Sequence, residues 1–139
     1  MRRTMKDKIL VGSDEIVLRV ATPEILAAEV RIPPGGGPPA LHRHDPDEVY
    51  RVERGTLTLY TEQDGARAER QLGPGDVAYI PGGQPHTVRN ESAGDVAAYV
   101  VFAPGGPMER FFRAAAALEP GGDVLALAAR HGVEIMSPL

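Results

Sequence analysis

Glycine and proline arrive in bursts along this chain, at residues 33–39, 73–75, 81–85, 104–107 and 120–122. Glycine supplies positive φ without a steric penalty and proline fixes φ near about −65°, so such bursts interrupt regular elements and mark turns between short ones. The segments between the earlier bursts read as strands. They are residues 15–20, 28–32, 49–52, 56–61, 77–80, 86–89 and 96–102, with Gly55 as a turn or bulge between two of them. These segments are short and rich in β-branched residues, the composition that fits a pleated, half-buried surface. Many short strands with turn signals between them imply an all-β sandwich or closed barrel.

The last third changes character. Pro107 sits where a helix starts, and Met108, Phe111, Phe112, Ala115 and Leu118 follow at helical spacing. A second helix is expected from Asp123, a good N-cap, to His131, with Gly132 just past its end. Each helix carries one apolar stripe, which is expected to pack on the barrel or on a neighbouring subunit. A chain of 139 residues without a repeat or a dividing linker fits one domain, with a barrel core over about 15–103 and a helical tail over about 107–132.

Composition removes several function classes. There is no cysteine, so disulfides and thiolate metal sites are excluded. A formal net charge of −4 without a basic block argues against nucleic acid, whose phosphates demand clustered Lys or Arg. The longest apolar stretch, residues 96–103, is too short to span a bilayer. Residues 1–10 carry Arg2, Arg3, Lys6 and Lys8 but no apolar run like a signal-peptide core. They read as a solvated, frayed end, and the expected location is the cytoplasm.

Three of the four histidines lie beside the two richest turn clusters. His42 and His44 stand at i and i+2, so on a strand both rings point to one face and can reach one ion. His86 follows the turn at 81–85, which delivers a third imidazole from a distant part of the chain. Glu48 shares the parity of the first two, but Pro46 interrupts pairing, so Glu48 is expected to open the next strand and return to the same space. Asp45 and Asp47 are also nearby, and parity leaves the carboxylate open among the three. Imidazoles with one carboxylate suit a single divalent transition ion: Fe, Mn, Co, Ni, Cu or Zn.

Gly36, His42, His44, Glu48 and Gly55 match G-x5-H-x-H-x3-E-x6-G, and Gly75, Pro81, Gly83, His86 and Asn90 match G-x5-P-x-G-x2-H-x3-N. In that order the two motifs resemble those of the cupins, and the resemblance covers roughly residues 16–102. The tail, with Glu109-Arg110-Phe111-Phe112 and residues 128–134, looks like that of small quercetin-dioxygenase-like cupins. The resemblance implies a double-stranded β-helix, or jelly-roll barrel, with two short C-terminal helices. It also implies a metal ligand set of His42, His44, Glu48 and His86, which selects Glu48 over Asp47, and a homodimer. Glycines, Asn90 and Asp76 keep the structural reading of turn geometry and loop capping.

Tyr50 and Val52 share the parity of Glu48 and are candidates to line the cavity, with Tyr50 able to hydrogen-bond a ligand. The facing of Tyr79 is open. Phe111 and Phe112 read as core on a helical stripe, His131 as a complement to a helix C-terminus, and Arg43 as a barrel-exterior residue. Four protein ligands leave two positions on an octahedral ion for a bidentate oxygen substrate, with Glu48 free to detach as a base. The leading expectation is a metal-dependent dioxygenase of flavonol or 1,3-dicarbonyl type acting on a small molecule. A redox-neutral isomerase, epimerase or cyclase using the same ion is the first alternative, and a non-catalytic metal or small-molecule binding module is the second.

Overall fold

The computed structural model describes residues 8–139. The expected solvated end at Arg2, Arg3 and Lys6 lies outside these residues. Lys8 is not frayed but opens the first strand, its ammonium 3.0 Å from Glu15. In chain order the strands are β1 (Lys8–Val11), β2 (Asp14–Ala21), β3 (Leu26–Ile32), β4 (Ala40–Arg43) and β5 (Asp47–Arg54), followed by β6 (Leu57–Gln63), β7 (Ala66–Leu72), β8 (Val77–Ile80), β9 (His86–Arg89) and β10 (Val96–Ala103). Two helices follow, α1 (Gly106–Ala116) and α2 (Val124–Arg130), and then β11 (Glu134–Pro138).

The strands form two antiparallel sheets, ordered β1-β2-β3-β10-β5-β8 and β11-β4-β9-β6-β7. Each of the seven expected strands is present: β8 and β9 have the expected bounds, β2, β3, β5 and β10 are longer, and β6 begins and ends later. The alternation that builds the interior is plain in β5, where Glu48, Tyr50 and Val52 are buried while Arg51 and Glu53 are exposed. Strand β10 buries Val96, Ala98, Val100 and Phe102 on the same principle. Leu26, Val52, Leu57, Leu72 and Ile80 complete a dry core between the sheets. This is the jelly-roll arrangement expected from the short-strand pattern, with the sheets packed face to face. Gly55 has φ of +85° at the turn from β5 to β6, and a Cβ there would stand 2.6 Å from the Asp95 carbonyl oxygen, so the turn needs glycine on both counts.

Four strands go beyond the seven expected, β4 with His42 among them. β7 pairs only with β6 and exposes every residue except Leu72, so it has no apolar alternation to betray it. β1 lies at the edge of the other sheet, and β11 lies beside β4, pairing Ile135 with His42. The helices form close to their expected places. Pro107 lies in the first turn of α1, although the helix ends at Ala116 and leaves Leu118 beyond it. The Asp123 carboxylate accepts from the Ala126 amide at 3.0 Å, and Gly132 at φ +76° follows α2. α1 packs against β1 and α2, and α2 against β11, so both helices lie on this barrel. No helix among the described residues is long and apolar enough to cross a membrane.

Candidate metal centre

Two sheets supply the site. His42 in β4 pairs directly with His86 in β9, and their ring centroids are 4.6 Å apart. His44 lies one residue beyond β4, with its ring centroid 6.1 Å from that of His42. Pro46 separates β4 from β5, and Glu48 is the second residue of β5, paired to Phe102 on one side and Ile80 on the other. Glu48 therefore returns to the histidines from the opposite sheet.

Backbone carbonyls fix the tautomers of the three rings. Nδ1 of His42 donates to the Ala40 carbonyl at 3.2 Å, Nδ1 of His44 to Pro46 at 3.0 Å, and Nδ1 of His86 to Gln84 at 2.8 Å. A carbonyl only accepts, so each Nδ1 carries the proton and each neutral ring presents the lone pair of Nε2. The three rings offer ligand atoms within 4.8 Å of one another. Glu48 Oε1 stands 3.0 Å from His44 Nε2 and 3.1 Å from His86 Nε2. Lone pairs and a carboxylate gathered this closely repel unless a proton or a metal ion lies among them. Donors about 2.1 Å from one ion and at right angles stand about 3.0 Å apart, so the spacing suits a shared ion. The donor set fits one divalent transition metal.

The three candidate carboxylates separate cleanly. Glu48 is 3% exposed, whereas Asp45 and Asp47 face solvent. Asp47 is engaged elsewhere, since its Oδ1 accepts from the Gly82 amide at 2.7 Å, while the Gly83 amide donates to the His44 carbonyl at 2.8 Å. These two bonds tie the turn before His86 to the segment that carries His44. Gly82 is required at that seam, because a Cβ would overlap the Asp45 carbonyl.

Burial and mutual charge set the protonation of the cluster. Burial, then the positive charge available on His86, holds His42 down at about 4, so its ring is neutral at ordinary pH. When protons rather than a metal ion bridge the cluster, burial alone would raise Glu48, but hydrogen bonds from protonated His44 and His86 and the charge of those rings outweigh it and hold the carboxyl at about 2. For His86, burial is outweighed by the hydrogen bond and charge of Glu48, and its value rises. Burial, followed by the charge and hydrogen bond of Glu48, pushes the Tyr50 phenol well above its usual range. Tyr50 is thus a neutral donor beside an anionic carboxylate.

The histidines and Glu48 line one part of a cavity of about 580 Å³ between the sheets, within the usual range for a small-molecule pocket. Tyr50 lines it as expected; Val52 does not, being sealed in the core. Phe111 and Phe112, read from the helical stripe as core, do pack against the core cluster, but both are only partly buried and also form cavity wall. Asp14 and Arg89 also line the cavity, and sequence reasoning passes over both. Asp14 accepts from the Gly37 amide at 3.2 Å and is raised by burial, while Arg89 donates to the carbonyls of Gly35, at 2.9 Å, and Gly37. Only the place of Arg89 inside the second motif marks it in the sequence.

The remaining candidates have structural roles. Tyr79 is 61% exposed on edge strand β8 and does not line the cavity. Arg43 is exterior and pairs with Glu134 at 2.9 Å. Asn90 is fully buried, donating to the carbonyls of Ile32 and Gly94, both at 2.8 Å, and Asp76 accepts from the Gly73 amide at 2.8 Å.

Comparison with known proteins is consistent with this architecture. The model of the Cupin domain family matches residues 28–102. No curated protein matches the chain. Among solved structures, TT1209 from Thermus thermophilus is similar, with 28% identity over 75% of this chain and 90% of its own, at a TM-score of 0.57. KdgF from Halomonas sp. has 22% identity over 75% of this chain and 93% of its own, at a TM-score of 0.62. A sugar phosphate isomerase of the cupin superfamily from Silicibacter pomeroyi has 24% identity over 67% and 60%, at a TM-score of 0.58.

Proposed function

The chain belongs to the cupin family, and from that premise we propose that it is a metal-dependent enzyme acting on a small substrate that chelates through oxygen, with dioxygenation of a flavonol or 1,3-dicarbonyl compound as the reaction. One observation carries the reading: three Nε2 lone pairs and one buried carboxylate converge on a cavity large enough for such a molecule. His42, His44, His86 and Glu48 would hold the ion, which supplies Lewis-acid stabilisation of an enolate and, with a redox-active metal, access to dioxygen.

The chain's own groups do the rest. The Nδ1–carbonyl bonds hold the rings in the tautomer that donates through Nε2. Glu48, a buried carboxylate whose Oε1 stands beside the Nε2 atoms of His44 and His86, is the acceptor placed to take the acidic proton of a bound substrate. Tyr50, neutral and buried beside it, can donate a hydrogen bond to substrate oxygen. The apolar walls exclude water and strengthen these interactions.

Tyr50 also favours a second reading. A phenol and a carboxylate side by side in the cavity wall offer a proton donor and a proton acceptor, the groups that a redox-neutral isomerisation, epimerisation or cyclisation uses. The test is oxygen consumption by anaerobically metal-loaded protein offered a panel of flavonols and 1,3-dicarbonyls, with products analysed in air and under nitrogen. Uptake of oxygen with substrate loss is expected. Turnover under nitrogen would replace the dioxygenase with the second reading, and ligand recovered unchanged in both atmospheres would make the protein a binding module.

A further inference from the structure

The chain has only three phenylalanines and no tryptophan, and all three phenylalanines stand in one row that starts at the histidine cluster. The His44 ring meets Phe102 edge-on with centroids 5.9 Å apart, Phe102 meets Phe112 at 5.5 Å, Phe112 meets Phe111 at 5.8 Å, and Phe111 meets His131 at 6.2 Å. Aromatic pairs at such spacings attract one another beyond the area they bury. A ring placed only for core packing is enclosed on all sides. Phe111 and Phe112 are not: each is partly exposed, and with Phe102 they line the cavity.

The polar groups away from the histidines point the same way. Asp14 and Arg89, the charged residues of that part of the lining, are both engaged by the backbone of residues 35–37. Recognition of a polyol needs free donors and acceptors along the pocket, because each buried hydroxyl left unpaired costs affinity. Here the cavity away from the histidines is lined mainly by apolar side chains, the three phenylalanines among them.

We propose that the site takes a ligand with an oxygen-donor head and a planar aromatic body, and that Phe102, Phe112 and Phe111 set this specificity. The proposal rests on the reading of His42, His44, His86 and Glu48 as a metal centre. It separates this chain's ligand from sugars and sugar phosphates on physical grounds: the head is read at the ion, the body on the aromatic row.

The test holds the head constant and varies the body. Protein loaded with Co(II) is titrated calorimetrically with acetohydroxamic, cyclohexanecarbohydroxamic, benzohydroxamic and 2-naphthohydroxamic acids. The naphthyl compound is expected to bind about tenfold tighter than the cyclohexyl one, as new ring contacts warrant. In Phe111→Leu and Phe112→Leu, which keep an apolar helical residue, the ratio of naphthyl to acetyl affinity should fall at least about threefold. Equal affinity for cyclohexyl and naphthyl compounds, or an unchanged ratio in both variants, overturns the proposal. If the protein takes up no Co(II), the metal reading fails, and 2-naphthamide on the metal-free protein decides the row alone. Binding weakened by Phe112→Leu upholds the aromatic row, and absence of binding rejects it.

Discussion

The two ends of the cavity are built from different materials. At the histidine end, His44, Glu48 and His86 are each less than 5% exposed, every Nδ1 is tied to a carbonyl, and the amides of Gly82 and Gly83 join the two turns through the Asp47 carboxylate and the His44 carbonyl. At the other end stand Phe111 and Phe112, half-buried on a helix, with Val124 46% and Leu125 58% exposed. The chelating end is held by strands of both sheets, so its geometry resists change. The apolar end is carried by two short helices laid against the barrel, where a substitution disturbs less of its surroundings. Such a division would let the chemistry of the proposed site stay fixed while the shape of the accepted molecule varied with the helices.

The rigid end is the more sensitive to substitution. Gly82→Ala should cost about 4 kcal/mol or more, since its Cβ would collide with the Asp45 carbonyl and part the two turns. Chemical denaturation checks this, and a loss under about 1 kcal/mol would show that the seam yields. Next, loss of a hydrogen-bond partner behind a ligand typically weakens a metal site about 10- to 100-fold, so His86→Ala, which removes a donor, should exceed about 100-fold. Elemental analysis and competition with a chromophoric chelator measure it, and retained stoichiometric metal would remove the centre from His86.

A pH series sharpens the electrostatic side of the contrast. In chelator-treated protein, Glu48 stays ionised to about pH 2 while the unfolded chain binds its proton near the ordinary value of 4.5. Stability should therefore fall as pH drops from 4.5 towards 2. His42, held at about 4 against an ordinary 6.5, adds a loss between 6.5 and 4, again on lowering pH. His86, raised above 6.5, contributes stability below that value which is lost as pH climbs past it. Denaturation midpoints should peak near pH 6.5, and Glu48→Gln should flatten the limb below 4.5. The smallest effect belongs to the apolar end: Leu125→Ala should change stability by no more than about 0.5 kcal/mol, because the side chain already faces solvent.

The sequence discloses the rigid end far better than the other. His42, His44 and His86 are readable because each sits beside a turn burst whose glycines and prolines have few alternative uses, and strand parity does not depend on what lies opposite. Parity cannot choose among Asp45, Asp47 and Glu48; only burial, a property of the folded chain, separates them. Edge strands such as β7 escape because exposure on both faces erases alternation. The second role of Phe111 and Phe112, as cavity wall as well as core packing, escapes for a different reason. A helical stripe reports that one face is apolar, and a closed core and an open cavity demand the same stripe.

The neighbours of β4 carry one more consequence. The strand bearing His42 meets β9 through a single pair, His42 with His86, and its other neighbour is β11, where Glu134 lies 91 residues beyond Arg43. During synthesis the first two histidines therefore emerge long before the strand that closes their sheet. All four candidate ligands precede residue 87, yet β4 gains its second neighbour only when residues up to Pro138 have emerged and docked, so the sheet edge that carries His42 is completed late.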